Sequence, residues 1–266
     1  MPILTGHQAS ALIVHVLNRP DKYGPLRGTV AGDEATGRFA PPAAASPAFE
    51  RVDVRLLERI RAIHGLSSTA SDVLDELGYR LAVPASTIPR RVTSGAPLVG
   101  YAVTLRYLPE RADPAHTRAT GGASKLAHHS AFALAAATDV LVIDAGGCPV
   151  ASTLGGMAAA AAVAAGLGGC IVDGGVRDID EIAELGLPVW ARHATPVTGK
   201  FRLEAAALNT PISCAGVQVR PGDLVLADDT GICFVPPAVA GELIARVLEV
   251  SQAENAHLGG GGENGG

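Results

Sequence analysis

Apolar residues recur at two different periods along this chain, and the change of period divides it. From Asp53 to His64 they fall at helical spacing. In the following LSSTASDVLDELGY, Ser67, Ser68 or Thr69 can cap a helix that stops at Gly78, a residue type suited to the position just past a helix end. SGAPLVGYAVTLRYLP, residues 94–109, opens on a glycine turn and then alternates like a strand. An alanine-rich stretch from Lys125 to Thr138 predicts a helix, and DVLVID, Asp139–Asp144, predicts a buried strand. A helix over Leu154–Gly166, a strand over Gly169–Asp173, a helix over Ile179–Leu185 and a strand over Pro188–Ala191 follow. Then the pattern shifts: PISCAGVQVRPGDLVLADDTGICFVP reads as short strands joined by Gly and Pro-Gly turns, an antiparallel hairpin region. A helix over 238–252 closes the block.

The middle is therefore βαβ and parallel, and the end antiparallel, which favours a layered α/β fold over a plain doubly wound sheet. No linker-like gap interrupts residues 49–252, so they form one expected domain. Residues 1–48 are rich in Pro, Gly and Ala, and read as an extension or arm with one short helix near His7–Leu17. Residues 253–266 end in GGGGENGG and read as a flexible tail.

Composition narrows the classes. Hydrophobic residues make up 48% of the 266, enough for a sizeable core, but many are alanine and aromatics are only 4%, which favours close helix–sheet packing. A net charge of −5 argues against a nucleic-acid scaffold, which would show a basic face. Cys148, Cys170, Cys214 and Cys233 form no CxxC pair and fit no zinc spacing, so reduced, structural thiols are expected. No charged-then-apolar leader opens the chain, and no run reaches the roughly 18 apolar residues of a membrane span. A cytoplasmic protein is expected.

The chemistry concentrates in LGGMAAAAAVAAGLGGCIVDGGVRDIDE, Leu154–Glu181. Arg177 and Asp178 stand side by side just past a strand end, an arrangement suited to binding an oxyanion and a metal together. The competing readings are a surface ion pair, or Asp178 as the N-cap of the next helix. Gly155, Gly156 and Met157 open a helix, where free backbone N–H groups bind carboxylate or phosphate; a plain packing turn is the alternative. Asp173 orients Arg177 or the waters of a metal, or else makes a local turn hydrogen bond. Glu181, three residues past Asp178, suits a capping box. Lys200 lies in a loop with His193 nearby in sequence; Lys200 can polarise a substrate or receive its distal carboxylate, and His193 titrates in the range of an acid/base, though both also read as plain loop residues. Schiff-base chemistry at Lys200 lacks an evident apolar pocket. Arg106 alternates with apolar neighbours and can face a cleft. His128 and His129 are adjacent and form no metal set, Ser152 lacks a GxSxG setting, and GGCPVASTLGG is neither a Walker nor a GxGxxG loop.

Taken in order, LSSTASDVLDELG, APLVGYAVTL, DVLVIDAGG, VDGGVRDIDEI, GLPVWARHATPVTGK and GVQVRPGDLVLADDTGICFVP resemble the RraA-like family, over about residues 66–237. That family includes divalent-metal 4-hydroxy-4-methyl-2-oxoglutarate aldolases, oxaloacetate decarboxylases and the bacterial regulator of ribonuclease activity. The resemblance implies an α/β fold, a three-layer αββ-type sandwich with a mixed sheet whose C-terminal part is antiparallel. It also implies homotrimers or homohexamers with sites between subunits, and a small oxo-acid substrate; the charge and the lack of a long apolar run give the expectation of neither nucleic acid nor membrane as partner. Through the resemblance, Asp178 is the metal ligand, and the metal is Mg²⁺ or Mn²⁺, cations that take oxygen ligands; Asp173, from its place at the strand end, is the second candidate for the metal site. Arg177 faces the enolate oxygen through its forked donors, and the Gly155–Met157 turn holds the substrate carboxylate. Lys200 and His193 complete the candidate catalytic set. One position departs: aldolase members carry an Asp where this chain has Gly156, and its loss weakens or reshapes the metal's outer shell.

The expected activity is a metal-dependent C–C lyase acting on 2-oxo or 4-hydroxy-2-oxo acids, by retro-aldol cleavage or decarboxylation through a metal-stabilised enolate. Proton transfer falls to a water. The alternatives are a hydro-lyase or isomerase on the same scaffold, motivated by Gly156 and His193, and a non-catalytic protein-binding regulator of ribonuclease.

Overall fold

The computed structural model describes residues 49–93 and 95–260, without the side chains of 255–260. The arm over 1–48 and its short helix lie outside the described residues. Two helices come first, α1 (Val54–Arg61) and α2 (Leu66–Glu76). Asp53 caps α1, its carboxylate accepting the N–H of Arg55 at 2.8 Å. The predicted serine cap of α2 is replaced. Gly65, in the left-handed region, takes the cap position. Ser67 lies inside the helix, and its N–H and hydroxyl both donate to the carboxylate of Asp228, at 2.8 and 2.6 Å. Gly78, at φ +81°, ends the element as expected.

The sheet is organised by β3 (Leu98–Pro109), a 12-residue strand that serves two layers. Its first half pairs antiparallel with β11 (Leu224–Ala227), which pairs with β12 (Gly231–Val235), and β12 with β1 (Ala82–Pro84). Its second half pairs parallel with β4 (Val140–Asp144), and β4 continues parallel to β6 (Gly169–Val176) and β7 (Val189–Ala194). The short β2 (Arg90–Val92) closes that edge, β5 (Ser152–Leu154) adds to β6, and β8 (Leu203–Leu208) to the end of β3. Strands β9 (Ile212–Cys214) and β10 (Val217–Val219) form a separate hairpin.

This bears out the α/β fold with a mixed sheet and an antiparallel C-terminal part. One apolar cluster, including Val142, Ile171, Trp190, Val225 and Phe234, fills the space between the two sheet halves. A second lies beneath the short α4 (His128–Phe132), α5 (Gly156–Ala164) and α6 (Ile179–Glu184). On the outer side of the antiparallel half, a third is closed by α1, α2 and α7 (Pro237–Gly260). The last helix runs past the expected 252, because SQAENAHL contains no helix breaker. A two-turn α3 (Pro114–Ala119) lies on the surface.

Two predicted elements differ. The alanine-rich stretch 125–138 keeps a helix only over His128–Phe132. Beyond it, the buried carboxylate of Asp139 accepts the N–H of Ala136 at 2.8 Å and a two-pronged bond from Arg51, and Thr138 turns at φ 69°. These tertiary bonds override the helix propensity of alanine. Gly174 and Gly175 are not a turn after β6 but buried residues within it, followed by Val176. A Cβ at Gly174 would meet that of Ala145 at 2.8 Å, and one at Gly175 the carbonyl of Ala151 at 2.7 Å. The glycines let neighbouring segments close on the strand.

Candidate active site

The extended β6 delivers Arg177 and Asp178 directly beyond the sheet. The N–H of Arg177 donates to the carbonyl of Leu154 at 3.0 Å, tying the end of β6 to the end of β5 and therefore to Gly155 and Gly156. From that tether the chain turns at once into α6, and Asp178 makes the turn in the left-handed region, at φ 56° and ψ 40°. For most L-residues this costs roughly 1–2 kcal/mol, less for Asp. Such positions persist where surrounding structure demands them, often at functional sites.

Asp178 occupies the N-cap position of α6, yet its side chain caps nothing in that helix. It turns across to α5, where its Oδ2 accepts the N–H of Gly156 at 3.1 Å. The same oxygen lies 3.3 Å from Nε of Arg177, with both side chains about one-third exposed. The capping alternative for Asp178 is thus set aside, and the ion pair forms within a larger arrangement.

The two glycines make room for this arrangement. Gly155 is fully extended, and a Cβ there would stand 2.8 Å from Oδ2 of Asp178 and 2.9 and 3.0 Å from Nε and Cγ of Arg177. A Cβ at Gly156 would overlap Oε2 of Glu181. The first intrahelical bond of α5 runs from the N–H of Ala159 to the carbonyl of Gly155. The N–H groups of Met157 and Ala158 precede it, at the positive end of a nine-residue helix. Met157 itself is exposed. Guanidinium donors, helix N–H groups and two carboxylates therefore converge on one short ledge.

The donor chemistry suits a hard divalent cation. Asp178 and Glu181 offer carboxylate oxygens around a single glycine, and the Gly155 cradle keeps Asp178 beside Arg177. Among the described residues no three His, Cys, Asp or Glu side chains gather into a full ligand set. Mg²⁺ commonly keeps several waters and one or two carboxylates, so the set does not disqualify it.

The other predicted site residues lie elsewhere. Asp173 pairs with Arg192 rather than with Arg177: its Oδ1 lies 2.6 Å from Nε of Arg192, and its Oδ2 accepts the N–H of Ala215 at 2.7 Å. It lines an open cleft of about 900 Å³ together with Arg91, Arg106, Asp144, Arg192 and His193. Arg106 reaches this cleft as its alternation suggested, 3.6 Å from Asp144. His193 sits on β7 opposite Gly175. Lys200 is exposed, on a loop held to β5 by the bond from the N–H of Ser152 to the carbonyl of Val197. Desolvation, with His129 and Lys200 adding their charges, holds the His128 imidazole below its ordinary range. Sequence reasoning gave Glu181 a capping role and passed over Arg91 and Arg192. The helical offset from Asp178 to Glu181 signalled that they share a face, but nothing in the sequence placed that face over Gly156.

The model of the RraA-like family, described as Aldolase/RraA, matches residues 67–234. A Deinococcus radiodurans protein, provisionally named 4-hydroxy-4-methyl-2-oxoglutarate aldolase, is 38% identical over 62% of this chain and 84% of its own length. DlpA of Legionella pneumophila is 28% identical over 71% of this chain, which spans only 29% of DlpA. Several other curated relatives are matched over about half of their length. Among solved structures, Streptomyces coelicolor RraAS2, described as an unusual member of the RNase ES inhibitor RraA family, superposes with a TM-score of 0.63 at 30% identity. That match covers 79% of this chain and 98% of RraAS2. No helix among the described residues is long and apolar enough to cross a membrane.

Proposed function

The chain belongs to the RraA-like family, and on that premise we propose that it is a divalent-metal-dependent carbon–carbon lyase of small 2-oxo or 4-hydroxy-2-oxo acids. The observation that carries this reading is the placement of Arg177 and Asp178 against the N-terminus of α5, where Gly155 leaves space for both side chains and Asp178 accepts the N–H of Gly156. The names of the aldolase relatives support the reaction class.

In this reading the N–H groups of Met157 and Ala158 bind the substrate carboxylate at the positive helix end. The forked donors of Arg177 face the keto oxygen and stabilise the negative charge that develops there when the C–C bond breaks. Asp178 and Arg177 hold one another in register, so the guanidinium needs little reorganisation as that charge grows. A divalent cation, Mg²⁺ or Mn²⁺, held by Asp178 would supply Lewis-acid polarisation of the same oxygen. Proton transfer is assigned to water, since Lys200 and His193 are not among the groups that converge on the ledge. Asp173 belongs to the Arg192 cleft in this reading and is given no ligand role. A homotrimer or homohexamer, with a neighbouring subunit completing the site, belongs to the same proposal.

The test is direct. Oxaloacetate decarboxylation and hydroxy-oxo-acid cleavage are followed with Mg²⁺, with EDTA, and in Arg177→Ala. Turnover that persists in EDTA, or full activity in the variant, would sink this reading. The likeness to RraAS2 supports a second one, a protein-binding regulator of ribonuclease. Absence of turnover on every oxo acid, with inhibition of a purified ribonuclease E-type enzyme, would favour it.

A further inference from the structure

The open cleft of about 900 Å³ is separate from the ledge, and neither Arg177 nor Asp178 lines it. Strand register builds its floor. Arg106 of β3, Asp144 of β4 and Asp173 of β6 stand opposite one another on neighbouring strands, and Arg192 of β7 joins the row through its bond to Asp173. Two residues earlier on β4, β6 and β7 lie Val142, Ile171 and Trp190, part of the apolar filling between the sheet halves. Side chains two apart share a face of a strand, so the row is the charged end of that filling. It lies toward the carboxyl ends of the parallel strands, where open α/β sheets commonly bind their ligands.

We propose that this cleft is a second binding site, for a small organic oxyanion, a carboxylate or a phosphate ester. The proposal needs no metal and stands apart from the lyase reading. Charge carries it first: three guanidiniums, of Arg91, Arg106 and Arg192, meet two carboxylates. Arg91 donates to the backbone carbonyls of Ala191 and Arg192, at 2.9 and 2.7 Å, and pairs with no carboxylate among the described residues. The cleft therefore keeps positive charge for an anion. The donors carry it next. Both carboxylates are buried and already engaged, Asp144 by the N–H of Gly146 at 2.9 Å, Asp173 by Arg192 and the N–H of Ala215. Among the described residues Arg192 makes one hydrogen bond, through Nε, which leaves both terminal nitrogens for a ligand. Arg106 makes none; its side chain is half exposed, with Oδ2 of Asp144 3.6 Å from its Nε. Forked guanidinium ends suit carboxylate and phosphate oxygens, and Asp173 is a positioning residue that holds one of them by its inner edge. The lining sets the class. The volume is that of a metabolite site, Ser86, Thr87 and Ser213 add hydroxyls, and no Phe, Tyr or Trp is present there to stack a base.

Calorimetric titration of the full chain with two probes, glycerol 3-phosphate and succinate, tests this without reliance on turnover. Binding of either supports the site, and the tighter one names the oxyanion it prefers. Arg106→Gln removes a guanidinium that makes no hydrogen bond in the fold, and should weaken the bound probe about tenfold, the scale of one lost charged hydrogen bond. Arg55→Gln, at an exposed arginine of α1 outside the cleft, should leave the affinity as it was. Circular dichroism establishes that each variant is folded. Binding of neither probe overturns the proposal, and so does unchanged affinity in Arg106→Gln. An equal loss in Arg55→Gln also overturns it, because that pattern marks general surface charge. Affinity kept in Arg106→Gln but lost in Arg177→Ala places the anion on the ledge, which ends the cleft proposal and leaves the lyase reading standing.

Discussion

The carboxylate of Asp178 accepts the backbone N–H of Gly156 at 3.1 Å, across 22 residues of sequence. This bond joins the end of β6 to the start of α5, and it is made by a residue whose own backbone is left-handed. The helix that Asp178 precedes therefore goes without its side-chain cap, and the carboxylate is held at the neighbouring helix instead.

Asp178→Asn should separate charge from shape. Asn tolerates the left-handed region as Asp does, and its side-chain oxygen can still accept from Gly156. Stability by denaturant titration is expected to change by less than about 1 kcal/mol. Divalent-metal binding by calorimetry and C–C lyase turnover are both expected to be lost.

Gly155→Ala places a Cβ 2.8 Å from Oδ2 of Asp178 and 2.9 Å from Nε of Arg177. The backbone at 155 is extended, so alanine is allowed there and the insult is local. We expect kcat/KM to fall roughly 100-fold, the scale on which a misplacement of an ångström acts. The melting temperature should move little. A variant with unaltered kinetics would show that the ledge is not the site of reaction.

Asp228→Ala tests the long-range joint between α2 and the β11–β12 turn. The buried carboxylate accepts from the N–H and hydroxyl of Ser67 and from the N–H of Thr230. Each buried donor left unpaired costs about 1–3 kcal/mol. A urea midpoint equal to that of the unaltered protein would contradict this account.

Thiol reactivity should divide three to one. All four cysteines are free; Cys170, Cys214 and Cys233 are buried, and Cys148 is partly exposed. Burial pushes Cys170 and Cys233 up to about 12 and raises Cys214 as well. A disulfide reagent at pH 8 should titrate one thiol quickly in the native protein and all four in denaturant.

Stability should also depend on pH through His128. Its folded pKa lies below the unfolded value, so the unfolded chain binds more protons as pH falls below about 6.5. The stabilisation is present above that pH and lost below it, at up to about 1.4 kcal/mol per pH unit for one proton. The nearby titrating groups are Tyr107, His129 and Lys200. Denaturant titrations at pH 7.5 and 5.5 should differ less in His128→Phe than in the unaltered protein.

Much of the fold was legible because local pattern and tertiary need agree. DVLVID becomes β4, buried on both faces, and its uninterrupted apolar character says so directly. The glycine-bounded alanine run becomes α5, whose small side chains allow close packing on the sheet. The pattern misled where a distant partner intervened. Ser67 serves Asp228 instead of capping α2, and Asp139, held by Arg51, cuts short the helix predicted over 125–138.

The candidate site was legible only in part, for a related reason. That Arg177 and Asp178 follow a buried strand, that glycines open the preceding helix, and that residue 156 carries no carboxylate can all be read from the order of residues alone. Those properties are local, set by residue type and spacing. Which groups meet is set by the packing of the folded chain. It drew Asp173 away to Arg192, turned Asp178 from its own helix to Gly156, and set Glu181 where residue 156 has no side chain. These pairings depend on how α5, α6 and the end of β6 pack in space, and a side chain's partner across such a junction is fixed by that packing, not by its neighbours in sequence.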